Sequence, residues 1–244
     1  MTMRQQAGVR PRVALAGMPI VLVPMMVVGF TVGGCGEDTP AATPAADAMP
    51  STHLPAGYAL QLDRANRDRT DFAVALEGGD LVIEAGPAGI LYQPDEIEQT
   101  VAAAASGRYR VHGGFTEIGA PIGHREGFGL FIGGQQLGGD QQRYVYFLVR
   151  GDGRYLVKQR DGDETRELSA GWQPSAAVQV PAAESGAVTN ELVMEVADGT
   201  LRLLCNGEPV AEVMIDEGDT WGTAGVRVNH NLHVRVADFA VTRQ

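Results

Sequence analysis

Residues 190–215 read NELVMEVADGTLRLLCNGEPVAEVMI, and this stretch decides the fold. Apolar and polar residues alternate through Asn190–Ala197, Leu201–Asn206 and Pro209–Ile215, the period-two pattern of strands with one buried face. Between the runs stand Asp198-Gly199 and Asn206-Gly207, pairs that supply the positive φ angles of a tight hairpin. Connections this short leave room only for antiparallel pairing, so the stretch is a three-strand meander.

The same pattern extends in both directions. Strands are predicted at Phe72–Glu77, Asp80–Glu84, Tyr109–Ile118, Gly127–Ile132, Arg143–Arg150, Arg154–Arg160, Thr223–Val228 and Leu232–Val241. Gly78-Gly79 and Gly151-Asp152-Gly153 punctuate them. One stretch breaks the pattern. Pro94, the acids Asp95 and Glu96, and Gly107 beyond an alanine run read as one short helix, with proline and acids at its start and glycine past its end. So many short strands predict an all-β domain over residues 58–244, built as two stacked antiparallel sheets rather than a closed barrel. Val145, Phe147 and Val149 alternate onto a core face, as do Leu232, Val234 and Val236. Tyr144, Tyr146, Arg150, His233 and Arg235 alternate onto the opposite faces.

The chain begins differently. Residues 1–12 carry three arginines and no acid, and residues 13–33 are uncharged and mostly apolar. Val32-Gly33-Gly34-Cys35 follows, and this resembles the lipobox of bacterial lipoproteins. The resemblance implies a leader over residues 1–34 that is removed, with Cys35 lipidated as the new first residue. The plainer alternative is an uncleaved transmembrane helix, which Pro19, Pro24 and the glycines weaken. Several acyl chains would anchor the protein to a membrane, placing it in a bacterial cell envelope, at the outer membrane where two membranes exist. Residues 35–57, rich in proline, alanine and threonine, read as a flexible tether.

Charge and cysteine narrow the chemistry. Three of the 19 basic residues lie in the leader and all 30 acidic ones lie beyond it, leaving 16 against 30, a net charge of −14. Such a field repels phosphate backbones, so nucleic acid is not an expected partner. With Cys35 assigned to the leader, Cys205 stands alone. No intrachain disulfide is then available, and Cys205 reads as an inert buried thiol.

The segments Glu126-Gly-Phe-Gly-Leu-Phe-Ile-Gly-Gly134, Tyr144-Val-Tyr-Phe-Leu-Val-Arg150 and Gly153-Arg-Tyr-Leu-Val-Lys158 resemble the central strands of concanavalin A-like lectin/glucanase domains. The Asn206-Gly207 hairpin and Gly225-Val-Arg-Val-Asn229 resemble that superfamily's last strands. Laminin-G-like modules and keto-disaccharide hydrolase-like domains belong to it. The resemblance implies a jelly-roll sandwich whose concave sheet often meets carbohydrate; it does not imply activity. The glucanase pattern Glu-x-Asp-x-x-Glu is absent, as are Gly-x-Ser-x-Gly, a phosphate-binding glycine loop and paired CxxC.

Several residues are candidates for binding. His112 alternates onto the polar side of its strand, and with Tyr144, Tyr146 and Arg150 it would form a polar, aromatic face suited to sugars. Glu126, in the His124-Arg125-Glu126 loop just before the glycine strand, and Asn229 and His230, in the polar Asn229-His230-Asn231 break between the last two strands, are loop candidates. The plain reading of these residues is a hydrated outer face and an ordinary turn. The turn Asp161-Gly-Asp-Glu164 offers Asp161 and Asp163 as oxygen ligands for calcium, against the plain reading of a solvated turn; no other cofactor is called for. Three functions follow as expectations: a non-catalytic carbohydrate-binding domain, a hydrolase recruiting loop acids and histidines, or an envelope assembly module. Of the leader, the expectation is direct. Cys35→Ser abolishes incorporation of labelled palmitate and leaves the leader attached; labelling that survives the substitution refutes the lipid anchor.

Overall fold

The computed structural model describes residues 54–64, 67–94, 107–182 and 186–244. The leader, Cys35, most of the tether and residues 95–106, where the helix is expected, lie outside the described residues. In chain order the strands are β1 (Ala59–Leu62), β2 (Phe72–Glu77), β3 (Asp80–Ala85), β4 (Gly89–Tyr92) and β5 (Arg108–Glu117). Then come β6 (Gly127–Gln135), β7 (Arg143–Arg150), β8 (Arg154–Asp161), β9 (Glu164–Glu167) and β10 (Gln173–Pro174). The last are β11 (Val188–Ala197), β12 (Thr200–Cys205), β13 (Glu208–Met214), β14 (Thr223–Val228) and β15 (Leu232–Arg243).

They form two antiparallel sheets. The first, of eight strands, runs β1-β4-β14-β6-β7-β8-β10, with β9 also paired to β8. The second, of seven, runs β13-β12-β11-β5-β15-β3-β2. The meander is the outer part of the second sheet, in the expected register, with Ala197 opposite Thr200 and Cys205 opposite Glu208. Asp198 and Asn206 adopt φ of 50° and 53° and their glycines 75° and 82°, the left-handed pair that a two-residue hairpin requires. β1, β4, β9 and β10 go beyond the sequence reading. Each is short, and β9 is exposed along its whole length, so alternation has no buried face to mark it.

The inner faces of both sheets make one core. Val145, Phe147 and Val149 from β7 and Leu232, Val234 and Val236 from β15 all lie in it. Phe115 on β5 stacks on Phe128 on β6 at 6.0 Å between centroids, joining the two layers. At one end of the sandwich lie the connections from β1 to β2, β3 to β4, β5 to β6 and β14 to β15, each joining a strand of one sheet to a strand of the other. The Asn229-His230-Asn231 break is one of these crossings, because β14 belongs to the first sheet and β15 to the second. Asn231 takes φ of 52°, a geometry asparagine tolerates better than most residues.

β7 departs from the expected alternation. Both its faces are buried, with Tyr144 at 2% and Tyr146 at 5% exposure. The core predicts a contrast in stability. Phe147→Ala costs about 3–5 kcal/mol in urea unfolding. Met214→Ala, at a side chain 79% exposed on β13, stays within about 0.5 kcal/mol of wild type. Equal losses would contradict the layered core.

Candidate ligand-binding cleft

β14 reads Thr-Ala-Gly-Val-Arg-Val, so its alternation sends Ala224, Val226 and Val228 to the core and Arg227 to the outer face of the first sheet. Arg227 is nevertheless only 5% exposed. Its two terminal nitrogens donate to the two carboxylate oxygens of Asp63 at 2.7 and 2.6 Å. Nη1 also donates to the Tyr144 hydroxyl at 3.0 Å, and the guanidinium lies 4.6 Å from the centroid of the Tyr146 ring. This is the planar, bidentate and ring-stacking environment that suits arginine and not lysine.

Arg160 completes the layer. Its Nη2 donates to the Asp63 carbonyl at 3.2 Å and its Nε to the Gly162 carbonyl at 2.9 Å. Four strands separate β1 from β8 in the sheet order, so Asp63, just after β1, and Arg160 on β8 span the face between them. Burial pushes the Asp63 carboxyl up, but the charge and hydrogen bonds of Arg227, with Arg160 behind them, outweigh it and hold the group below the usual carboxylate range. Burial pushes the Tyr144 phenol up to about 12, with Arg227 opposing.

Above this layer opens a cleft of about 690 Å³, lined by Asp63, Arg64, Arg67, Ala88, Arg160, Asp163 and His230. Here the structure brings expected site residues together. His230 enters from the sheet-crossing end, with Glu126 Oε2 at 3.8 Å from its Nδ1. Asp163 enters from the β8–β9 turn, with Arg160 at 3.8 Å. Tyr144 and Tyr146 lie beneath the arginine layer, which corrects the expected stacking face: rings this buried offer no surface to a sugar.

The other candidates fall elsewhere. His112 lies on β5, in the second sheet, so its outward side and that of the tyrosines are on opposite sides of the sandwich. The expected face uniting them does not exist. Arg150 is occupied, donating from Nε to Asp152 at 2.7 Å and lying 4.3 Å from the Trp172 ring centroid. The Asn229 amide donates to the Gly127 carbonyl at 2.9 Å and closes the crossing. Asp161 faces Arg143 at 3.4 Å, so the carboxylates expected to hold calcium turn to separate cations. Among the described residues no group of three or more His, Cys, Asp and Glu is placed to hold a metal ion. Cys205 is buried, its thiol pushed up to about 12 by desolvation.

A second cleft, of about 440 Å³, opens at the same end and is lined in part by Asp71, Glu84, Glu117, His124 and His233. Glu117 is 3% exposed and accepts from or shares a proton with His124 Nδ1 at 2.5 Å. Burial raises the Glu117 carboxyl above its ordinary range, and His124 only partly offsets this. Glu117 and the arginine layer are the residues sequence reasoning missed. Glu117 did carry a signal, since it shares the core-facing parity of Val111 and Phe115. So did Arg227, a charge between two core valines.

The two antiparallel sheets and their shared core define a two-sheet β-sandwich. Solved structures similar to it include the carbohydrate-binding module CBM66 from Bacillus subtilis, at TM-score 0.52 and 8% identity over 76% of this chain and 95% of that one. The potassium-bound carbohydrate recognition domain of Emp46p is similar at TM-score 0.50 and 13% identity, over 76% of this chain and 88% of that one. At such identities the likeness is one of fold. No family model and no curated protein matches the sequence.

The arginine layer predicts acid sensitivity of a known sign. A carboxylate held below its ordinary value stabilises the fold above about pH 3.9 and loses that contribution as pH falls through its own lower value. Asp63→Asn leaves Arg227 buried without its counter-charge, at a cost of about 3–5 kcal/mol at pH 7. In urea unfolding series, the gap between variant and wild type narrows as pH drops below 3.9; a gap independent of pH contradicts the pairing.

Proposed function

We propose that the protein is a membrane-tethered envelope lipoprotein whose β-sandwich binds carbohydrate in the cleft over the first sheet, without turning it over. The observation that carries this reading is the cleft itself. It offers convergent charged and hydrogen-bonding groups, Asp63, Arg64, Arg67, Arg160, Asp163 and His230, on a rigid sheet face, as recognition of a polyhydroxylated ligand requires. Two similar folds are named as carbohydrate-binding domains, which agrees with it. The lipobox resemblance at Cys35 supplies the tether.

The chemistry of the cleft favours binding over hydrolysis. Cleaving a glycosidic bond needs a protonated carboxyl facing a second carboxylate. The Asp63 carboxyl is held below its ordinary range by Arg227, with Arg160 behind it, and the Asp163 side chain stands 98% exposed. One observation favours a second reading, a glycoside-acting hydrolase of the keto-disaccharide hydrolase-like type. The buried Glu117, raised in pKa and joined to His124 beside an open cleft, has the makings of an acid–base pair.

Both readings meet one experiment. The purified full chain is screened on a glycan array, and retained glycans are incubated with it and analysed for products. Binding without products, weakened about three- to tenfold in His230→Ala by loss of a hydrogen bond, is the expected result. Products that vanish in Glu117→Gln establish the hydrolase instead. Absence of any retained glycan overturns both.

A further inference from the structure

The sign of charge in the cleft is opposite to that of the chain. The protein carries a formal charge of −11, yet the arginines Arg64, Arg67 and Arg160 line the cleft with Arg227 beneath them, against Asp63 and Asp163 alone. Arg227 is engaged by Asp63, and Arg160 by the Asp63 and Gly162 carbonyls with Asp163 nearby. Two positive charges remain, those of Arg64 and Arg67.

Neither has a side-chain hydrogen bond or an ion pair among the described residues. Most other arginines of the described residues face a carboxylate: Arg108 faces Asp198, Arg143 faces Asp161 and Asp219, Arg150 faces Asp152, and Arg235 faces Glu77 and Asp80. The Arg67 amide donates to the Arg64 carbonyl at 3.1 Å, so the roots of the two side chains lie close together. Two guanidiniums without a side-chain partner among the described residues, both lining one cleft in an otherwise acidic protein, suit the reception of an oxyanion. The surrounding negative field favours their occupation only by a ligand that brings other contacts, since a bare anion is repelled before it arrives.

Resting on the carbohydrate reading above, we propose that the ligand is an anionic polysaccharide, whose carboxylate or sulfate is received by Arg64 and Arg67 while His230 and Asp163 hold hydroxyls. Guanidinium presents planar, paired donors that match either oxyanion. The cluster of fixed groups beneath them, Asp63 with Arg160 and Arg227, sets the depth at which the sugar ring sits.

The test compares matched polymers on the full chain. Polygalacturonate is set beside its carboxyl-reduced form, dextran sulfate beside dextran, and polyglutamate serves as a polyanion without sugar. The charged member of at least one pair is expected to bind about tenfold more tightly, the yield of two exposed ion pairs, with polyglutamate well below it. Which pair shows the preference tells carboxylate from sulfate. In Arg64→Gln/Arg67→Gln the preference falls to within about twofold, and because neither side chain has a partner among the described residues, the unfolding midpoint stays at the wild-type value. Equal binding of charged and neutral members, a preference that survives the double substitution, or polyglutamate binding as tightly as the sugars overturns the inference while leaving carbohydrate binding in place. Binding of no polymer on this panel, together with a blank array, removes the carbohydrate reading and this one with it.

Discussion

A guanidinium taken out of water must recover its lost hydration from fixed neighbours, and the outer face of the first sheet is arranged around that need. Desolvating an isolated charge costs several kcal/mol. Arg227 meets the cost with a bidentate carboxylate, a phenol and an aromatic ring. The partners come from two distant parts of the chain: Asp63 from just after β1, Tyr144 and Tyr146 from β7. Arg160 then carries the network on to β8. The ion pair therefore clamps strands that are not neighbours in the sheet. That is why a face with charged residues at its centre is as buried there as a core.

The same clamp has a consequence for recognition. A binding face made of long, free side chains would pay rotamer entropy each time a ligand ordered them. Here the deepest groups, Asp63, Arg160 and Arg227, are already held by one another. Only the rim groups, Arg64, Arg67, Asp163 and His230, are left to respond. Except at Asp163, in the β8–β9 turn, the rim is also where the chain crosses between sheets, so its sequence is freed from the alternation that constrains the strands. Polar residues accumulate at that end without cost to the core, and both clefts open there.

The outcome at particular residues shows where sequence reasoning stops. Alternation placed Val145, Phe147 and Val149 in the core and Tyr144 and Tyr146 on the other face, and the backbone agrees. It could not tell that the other face is covered, because what covers it, Asp63 and Arg227, lies far away along the chain. His112 and Tyr144 have the same outward pattern, yet belong to opposite sides of the sandwich. Parity assigns a side chain to one face of its own sheet and carries no information about which sheet that is. His230 and Asp163 were singled out for unrelated reasons, a turn and a calcium-like loop, and meet at one cleft. Glu117 is a single acid within the predicted Tyr109–Ile118 strand, with no partner near it in sequence; only the loop bearing His124 turns it into a paired, buried group.

By itself, the sequence determined the local grammar of this protein: where most strands run, which face of each is apolar, and where the tight hairpins turn. These properties depend on neighbours two or three residues apart, through the pleat of the strand and the left-handed geometry of Asp-Gly and Asn-Gly. Tertiary structure alone decided which strands share a sheet, which outward faces are buried, and which charges meet. The Asp63–Arg227 pair spans most of the sandwich domain in sequence, and the electrostatics of the cleft follow from it. Coulomb and desolvation energies act through space, so a charge's partner, unlike its strand parity, is set by the folding of the whole domain.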